Sequence, residues 1–272
     1  MRAVEVDALL EQGSTRATMT TPNLFILGAG KCGTTSLYHL LERHHDIKVS
    51  EIKEPSFFCS YFQAVKNPVT YFELFNSTKK YRVDASHVYF SNHETAPILS
   101  SLFPDAKFLV VLRNPKARAL SLFQHMRRAL HADGHPLELA ESFHAALELE
   151  AERFISPAFQ TACRHYFWNF MYMRSSLYDG QLARYFNLYP RERFLVMSLA
   201  ELQSQPIRTI RSISEFLDLD IAGFGSDMPC ANVAPPYKSL ITPESHLLMD
   251  EQFEKLTERV DQLIGRPLDW SI

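Results

Sequence analysis

No apolar run in this chain approaches the ~20 residues that a membrane-crossing helix requires, although 46% of its 272 residues are hydrophobic. Cysteine is sparse, with four residues at positions 32, 59, 163 and 230 and no C-x-x-C pair. That spacing leaves neither a disulfide framework nor a zinc knuckle, and it suits a reducing cytoplasm. The 11 histidines include no H-E-x-x-H run, so no metal is expected. Charge is nearly balanced at −3, which gives no basic field for nucleic acid. Internal repeats and low-complexity linkers are missing too. The first 22 residues lack the apolar centre of a secretory signal and are expected to form a flexible tail. Residues 23–272 are then long enough for one domain.

What is present is an alternation of apolar runs and helical patterns, the signature of βαβ units around a parallel sheet. Strands are expected at 24–28, 47–49, 81–85, 107–112 and 193–198. Helices are expected at about 34–44, 93–103, 115–131, 138–150, 159–172, 175–188, 206–217 and 243–264. Glycines and prolines make 221–242 read as a long loop. The fold class is α/β, with helices on both faces of a central parallel sheet. In such sheets ligands bind beyond the carboxyl ends of the strands.

Beyond the first strand comes Gly28-Ala29-Gly30-Lys31-Cys32-Gly33-Thr34-Thr35-Ser36, leading into a helix. A glycine-rich turn feeding a helix N-terminus points backbone N–H groups at one small volume, which suits a phosphate or sulfate. Lys31 adds charge, and Thr34 and Thr35 add hydroxyls. The spacing departs from G-x-x-x-x-G-K-[ST], because Gly33 rather than a lysine precedes Thr34. The best later strand, 107–112, ends in Arg113-Asn114-Pro115 and not in the acidic magnesium ligand of a triphosphatase. Cys32 sits at a helix start beside Lys31, a setting that lowers a thiol pKa. Arg113, with Ser121 eight positions later, suits a phosphate monoester.

The loop at 28–36, followed by R-N-P-x-x-R-x-x-S-x-x-x-H from Arg113, resembles the sulfotransferases that use 3′-phosphoadenosine 5′-phosphosulfate (PAPS). The resemblance spans about residues 23–240. It implies a three-layer domain like the P-loop nucleotide kinases, a PAPS donor, adenosine 3′,5′-bisphosphate (PAP) as product, and no metal. It assigns the 5′-phosphosulfate to Gly30, Lys31, Cys32, Gly33, Thr34, Thr35 and Ser36, and the 3′-phosphate to Arg113 and Ser121. Lys31 would assist the leaving group. An ATP-dependent kinase and a non-catalytic nucleotide-binding protein are the alternatives.

The run Lys53-Glu54-Pro55-Ser56-Phe57-Phe58 resembles the K-E-x-x-F-F stretch of heparan-type sulfotransferases, whose glutamate is the base. Burial beside Phe57 and Phe58 would raise the Glu54 pKa. His87 and His125 are rival bases, since the hydroxyl-sulfating enzymes use a histidine. Asp84, Glu54 and His87 are the candidate acceptor contacts. Asp84-Ala85-Ser86 stands where the heparan-type enzymes have E-K-[ST]; the missing lysine counts against a polyanionic glycan acceptor. Tyr178, Tyr237 and Lys238 are further cofactor candidates. Arg127 and Arg128 read as a solvated helix face. A small metabolite or carbohydrate is the implied partner, with no nucleic acid and no membrane; the oligomeric state is not legible.

Overall fold

A computed structural model describes residues 20–163, 165–229 and 241–271. Five parallel strands form one sheet in the order β2-β3-β1-β4-β5. They are β1 (Leu24–Leu27), β2 (Ile47–Val49), β3 (Tyr81–Asp84), β4 (Lys107–Leu112) and β5 (Phe194–Ser198). All four β1 residues are buried, because β1 is central and covered on both faces. It pairs with β3 from Leu24 opposite Val83 and with β4 from Leu24 opposite Lys107. Every strand therefore runs the same way, and the ends at Leu27, Asp84 and Leu112 open on one edge of the sheet.

The helices start where local chemistry tells them to. Asn114 accepts N–H bonds from Lys116 and Ala117 at 3.1 and 3.2 Å, with Pro115 at the first helical position of Pro115–Arg128. Ser142 caps Phe143–Ile155 through Ala145 N–H, which moves that helix later than the pattern at 138–150 suggested. The apolar stretch expected as one helix over 159–172 is instead Pro157–Ala162 followed by a single 3-10 turn, Phe167–Phe170. Its aromatic rings pack irregularly around the core, which overrides helical period. Residues 243–264 form two helices, Pro243–Gln252 and Leu256–Ile264, broken where Lys255 turns left-handed at φ 54°. Three short helices, Pro68–Glu73, Val88–Ser91 and Leu199–Ser204, carry too few turns for periodicity to announce them. Among the described residues no helix is long and apolar enough to cross a membrane.

Candidate functional site

The loop after β1 is shaped by close approach. A Cβ on Gly28, where φ is 141°, would lie 2.4 Å from the Val111 carbonyl oxygen of β4. Only glycine lets the chain leave the sheet there. The helix Thr34–Glu42 follows, and its N-cap, Gly33, supplies no side-chain hydrogen bond. Asn67, Asn114, Ser142, Ser156, Ser198 and Thr242 cap their helices with a side chain, while the helices Val88–Ser91, Thr95–Leu102, Tyr178–Phe186, Pro206–Leu217 and Leu256–Ile264, like this one, have no such cap. The helix at the glycine loop thus keeps its N-terminal dipole available for an anion.

Cations gather around this end. Lys31 is half-buried, itself left-handed at φ 73°, and Arg113 reaches its carbonyl with a 3.4 Å hydrogen bond. The Lys31 pKa is lowered, by burial first and then by the charges of Arg128 and Arg113; Cys32 and Glu54 act the other way. Arg128 is exposed, as the sequence suggested, and its charge still reaches Lys31. On Pro115–Arg128 the positions 118, 121, 125 and 128 follow one another at helical spacing and share a face. Ser121 on that face is buried. His125 has its pKa lowered to about 4, by burial and then by Lys31, His165, His87 and Arg128, so it is neutral at pH 7. Arg118, the second arginine of the R-N-P-x-x-R run, to which the sequence assigned no role, is buried. Its Nε donates to the Gly30 carbonyl at 3.1 Å, while its Nη1 holds Ser175 and, at 2.9 Å, Ser176. It is the brace beneath the glycine loop.

Glu54 and His87, rivals by sequence, are in direct contact. His87 Nδ1 bonds Glu54 Oε2, and Lys53 Nζ donates to Oε1 at 2.5 Å. Glu54 is only 24% exposed, and burial alone would push its pKa up, as the sequence suggested. His87 and Lys53 outweigh that effect and bring the carboxyl down to about 2. Because an ionised carboxylate only accepts, His87 Nδ1 carries the proton of this bond. Whenever the ring is neutral, Nε2 is therefore its unprotonated atom. That edge of the ring rests on the glycine loop: a Cβ at Gly30 would lie 3.0 Å from Cδ2 and 3.4 Å from Nε2.

Other sequence-based assignments move. Asp84 is wholly buried and accepts from Ser86 at 2.6 Å, Tyr71 at 2.7 Å and Tyr89 at 3.0 Å, so it faces no acceptor. Tyr178 is also wholly buried; its hydroxyl donates to the Arg113 carbonyl at 3.0 Å, which makes it a support for Arg113. Cys32 is buried with its Sγ 3.9 Å from that hydroxyl. Burial raises its pKa, with Arg118, Arg113, Tyr178 and Lys31 offsetting only part, against the expectation of a lowered thiol. Tyr237 and Lys238 lie outside the described residues. His165 was not singled out, and no spacing in the sequence marks it. Its pKa falls to about 4, through burial and then His87, while Glu54 raises it. Its ring centroid lies 4.6 Å from that of Phe62.

A family model for the sulfotransferase domain matches residues 21–229. The human bifunctional heparan sulfate N-deacetylase/N-sulfotransferase 2 is 26% identical over 207 residues, which cover 73% of this chain but 22% of that longer protein. The membrane-associated sulfotransferase kil1 of Dictyostelium discoideum is 23% identical over 315 residues, covering 92% of this chain and 66% of kil1. Among solved structures, a sulfotransferase from Alicyclobacillus acidocaldarius aligns at TM-score 0.73 with 26% identity, covering 92% of this chain and 98% of its own. Mouse SULT7A1 complexed with PAP shares the fold at TM-score 0.57 and 16% identity, over 92% of this chain and 89% of its own.

Proposed function

The chain belongs to the sulfotransferase domain family, and from that premise we propose that residues 23–272 act as one domain that moves a sulfuryl group from PAPS to a hydroxyl or amine. The acceptor is a small metabolite or a carbohydrate. The observation that carries the reading is half-buried Lys31, its carbonyl held by Arg113, at the start of the helix Thr34–Glu42 beside the Glu54–His87 pair. Burial and then its cationic neighbours lower the Lys31 proton affinity, and a bound anion relieves that. A donor with a phosphosulfate and a second phosphate fits that need.

In this reading the backbone of residues 30–36 and Lys31 hold the phosphosulfate, and Arg113 and Ser121 hold the 3′-phosphate. Sulfuryl transfer spreads negative charge over the transferred oxygens and the leaving phosphate. Lys31, Arg128 and the helix N–H groups oppose that charge from fixed positions. The acceptor proton goes to the pair. A carboxyl at about 2 with both oxygens engaged is a poor base at neutral pH. The receiving atom is His87 Nε2, and Glu54 holds the ring's tautomer and stabilises the imidazolium, the division of labour known for carboxylate–histidine pairs. Ala85 in place of a lysine supports an acceptor other than a polyanion. The free thiols of Cys32, Cys59 and Cys163 support a cytoplasmic setting.

Thermal unfolding with PAP or with ATP–Mg²⁺ tests the reading. A ligand at 100 times its Kd adds about 2.7 kcal/mol, which for a domain of this size raises Tm by roughly 5–10 °C. PAP should give this rise and ATP–Mg²⁺ should not. The opposite result would return the chain to the kinase reading.

A further inference from the structure

The segment that carries Glu54 is bent in an unusual way. Glu54 and Ser56 are both left-handed, at φ 63° and 52°, although neither is glycine. Side chains resist that conformation, and it persists only where the surroundings hold it. The hold converges on one carboxylate. Ser56 N–H donates to Ser86 Oγ at 2.9 Å, and Ser86 Oγ donates to Asp84 Oδ1 at 2.6 Å. Phe58 N–H donates to the Tyr89 hydroxyl at 3.3 Å, and that hydroxyl donates to Asp84 Oδ2 at 3.0 Å. The Phe57 ring stacks on Tyr71 at 4.4 Å and 15°, and Tyr71 donates to the same Oδ2 at 2.7 Å. Residues 56, 57 and 58 are each tied to Asp84 through one intermediary. His87 directly follows Ser86, so the other member of the pair hangs on the same carboxylate.

We propose that Asp84 is a positioning residue: through Ser86, Tyr89 and Tyr71 it sets the left-handed turn that brings Glu54 onto His87. It touches no substrate. It acts by fixing two loops, one after β2 and one after β3, in a single register. A carboxylate suits the task because it accepts all three hydroxyl bonds and donates none. An amide at the same place would turn an N–H toward one of those donors and break the set.

The inference rests on the sulfotransferase reading for its catalytic meaning, but its geometric content is testable without an acceptor. The experiment uses the full chain with ¹⁵N-labelled histidine, the His87 signals being assigned by His87→Gln. In the native protein the ring should show a protonated Nδ1 and a bare Nε2. In Asp84→Asn that pattern should move toward a tautomer mixture, while the PAP Kd stays within about twofold. Ser86→Ala keeps the carboxylate and its tyrosine donors but cuts the link to Ser56. It should displace the same signals, and it serves if Asp84→Asn does not fold. A lower Tm with His87 signals unmoved in both variants overturns the proposal, because Asp84 would then be a structural group only. Native protein that does not bind PAP overturns the sulfotransferase reading alone, since the His87 signals still report what Asp84 holds.

Discussion

Replacing Glu54 with Gln separates the charge of the pair from its shape. Gln fills the same volume, and its amide oxygen can still accept from His87, but it carries no charge to set against His87 and Lys53. In the folded protein the Glu54 carboxyl sits at about 2, against an ordinary 4.5. At about 1.4 kcal/mol per pH unit this gap corresponds to roughly 3 kcal/mol of favourable interaction at neutral pH. The side chain is 24% exposed, and solvent screening reduces the figure to about 2 kcal/mol. The sign follows from linkage. A depressed carboxyl pKa contributes stability that is fully present above 4.5 and is lost as pH falls toward 2. Urea unfolding at pH 7 should therefore place the Gln variant about 1 M below the native midpoint. Below about pH 4.5 the gap should narrow. Turnover of PAPS should fall by up to roughly 10⁴, as when the carboxylate that holds a histidine base in its tautomer loses its charge, while the PAP Kd stays within about threefold. Equal midpoints at pH 7 would show that the pair contributes nothing. Undiminished turnover would show that the base works without Glu54.

Arg113→Ala should weaken PAP by about 10–100-fold, the worth of a charge-assisted bond, and adenosine 5′-phosphate by less than about threefold in the same calorimetric titration. Equal weakening of both would make Arg113 a brace for the Lys31 carbonyl. Gly28→Ala should cost about 3 kcal/mol or more in urea unfolding, because the added Cβ meets a backbone oxygen of β4 at a φ that side chains avoid. Gly180→Ala is the control: it lies in the helix Tyr178–Phe186 with nothing within 4 Å of the new Cβ, and it should add up to about 1 kcal/mol. A tolerated Gly28→Ala would mean that the loop leaves the sheet by another path.

Local chemistry was enough for the frame of this protein. Short apolar runs between turn residues located all five strands, and Gly33, Asn114 and Pro115 announced where two key helices begin. The proposed donor site, the glycine loop with Arg113 and Ser121, was legible for the same reason: the N–H groups, glycines and cation of an anion cradle follow one another along the chain. Pairing between distant segments was not legible. Glu54 and His87 stand 33 positions apart and Arg118 and Gly30 stand 88 apart, so only packing decides that they touch. Burial likewise depends on what covers a residue. It turned Asp84 and Tyr178 from candidate contacts into supports, raised the Cys32 thiol and left His125 and His165 neutral. It also acted on Glu54, where the sequence foresaw the desolvation but not His87, which together with Lys53 outweighs it. The sequence by itself determined where a phosphosulfate could sit. The tertiary structure alone decided which groups stand opposite it and in what protonation state, because those depend on fields and contacts that reach across the fold.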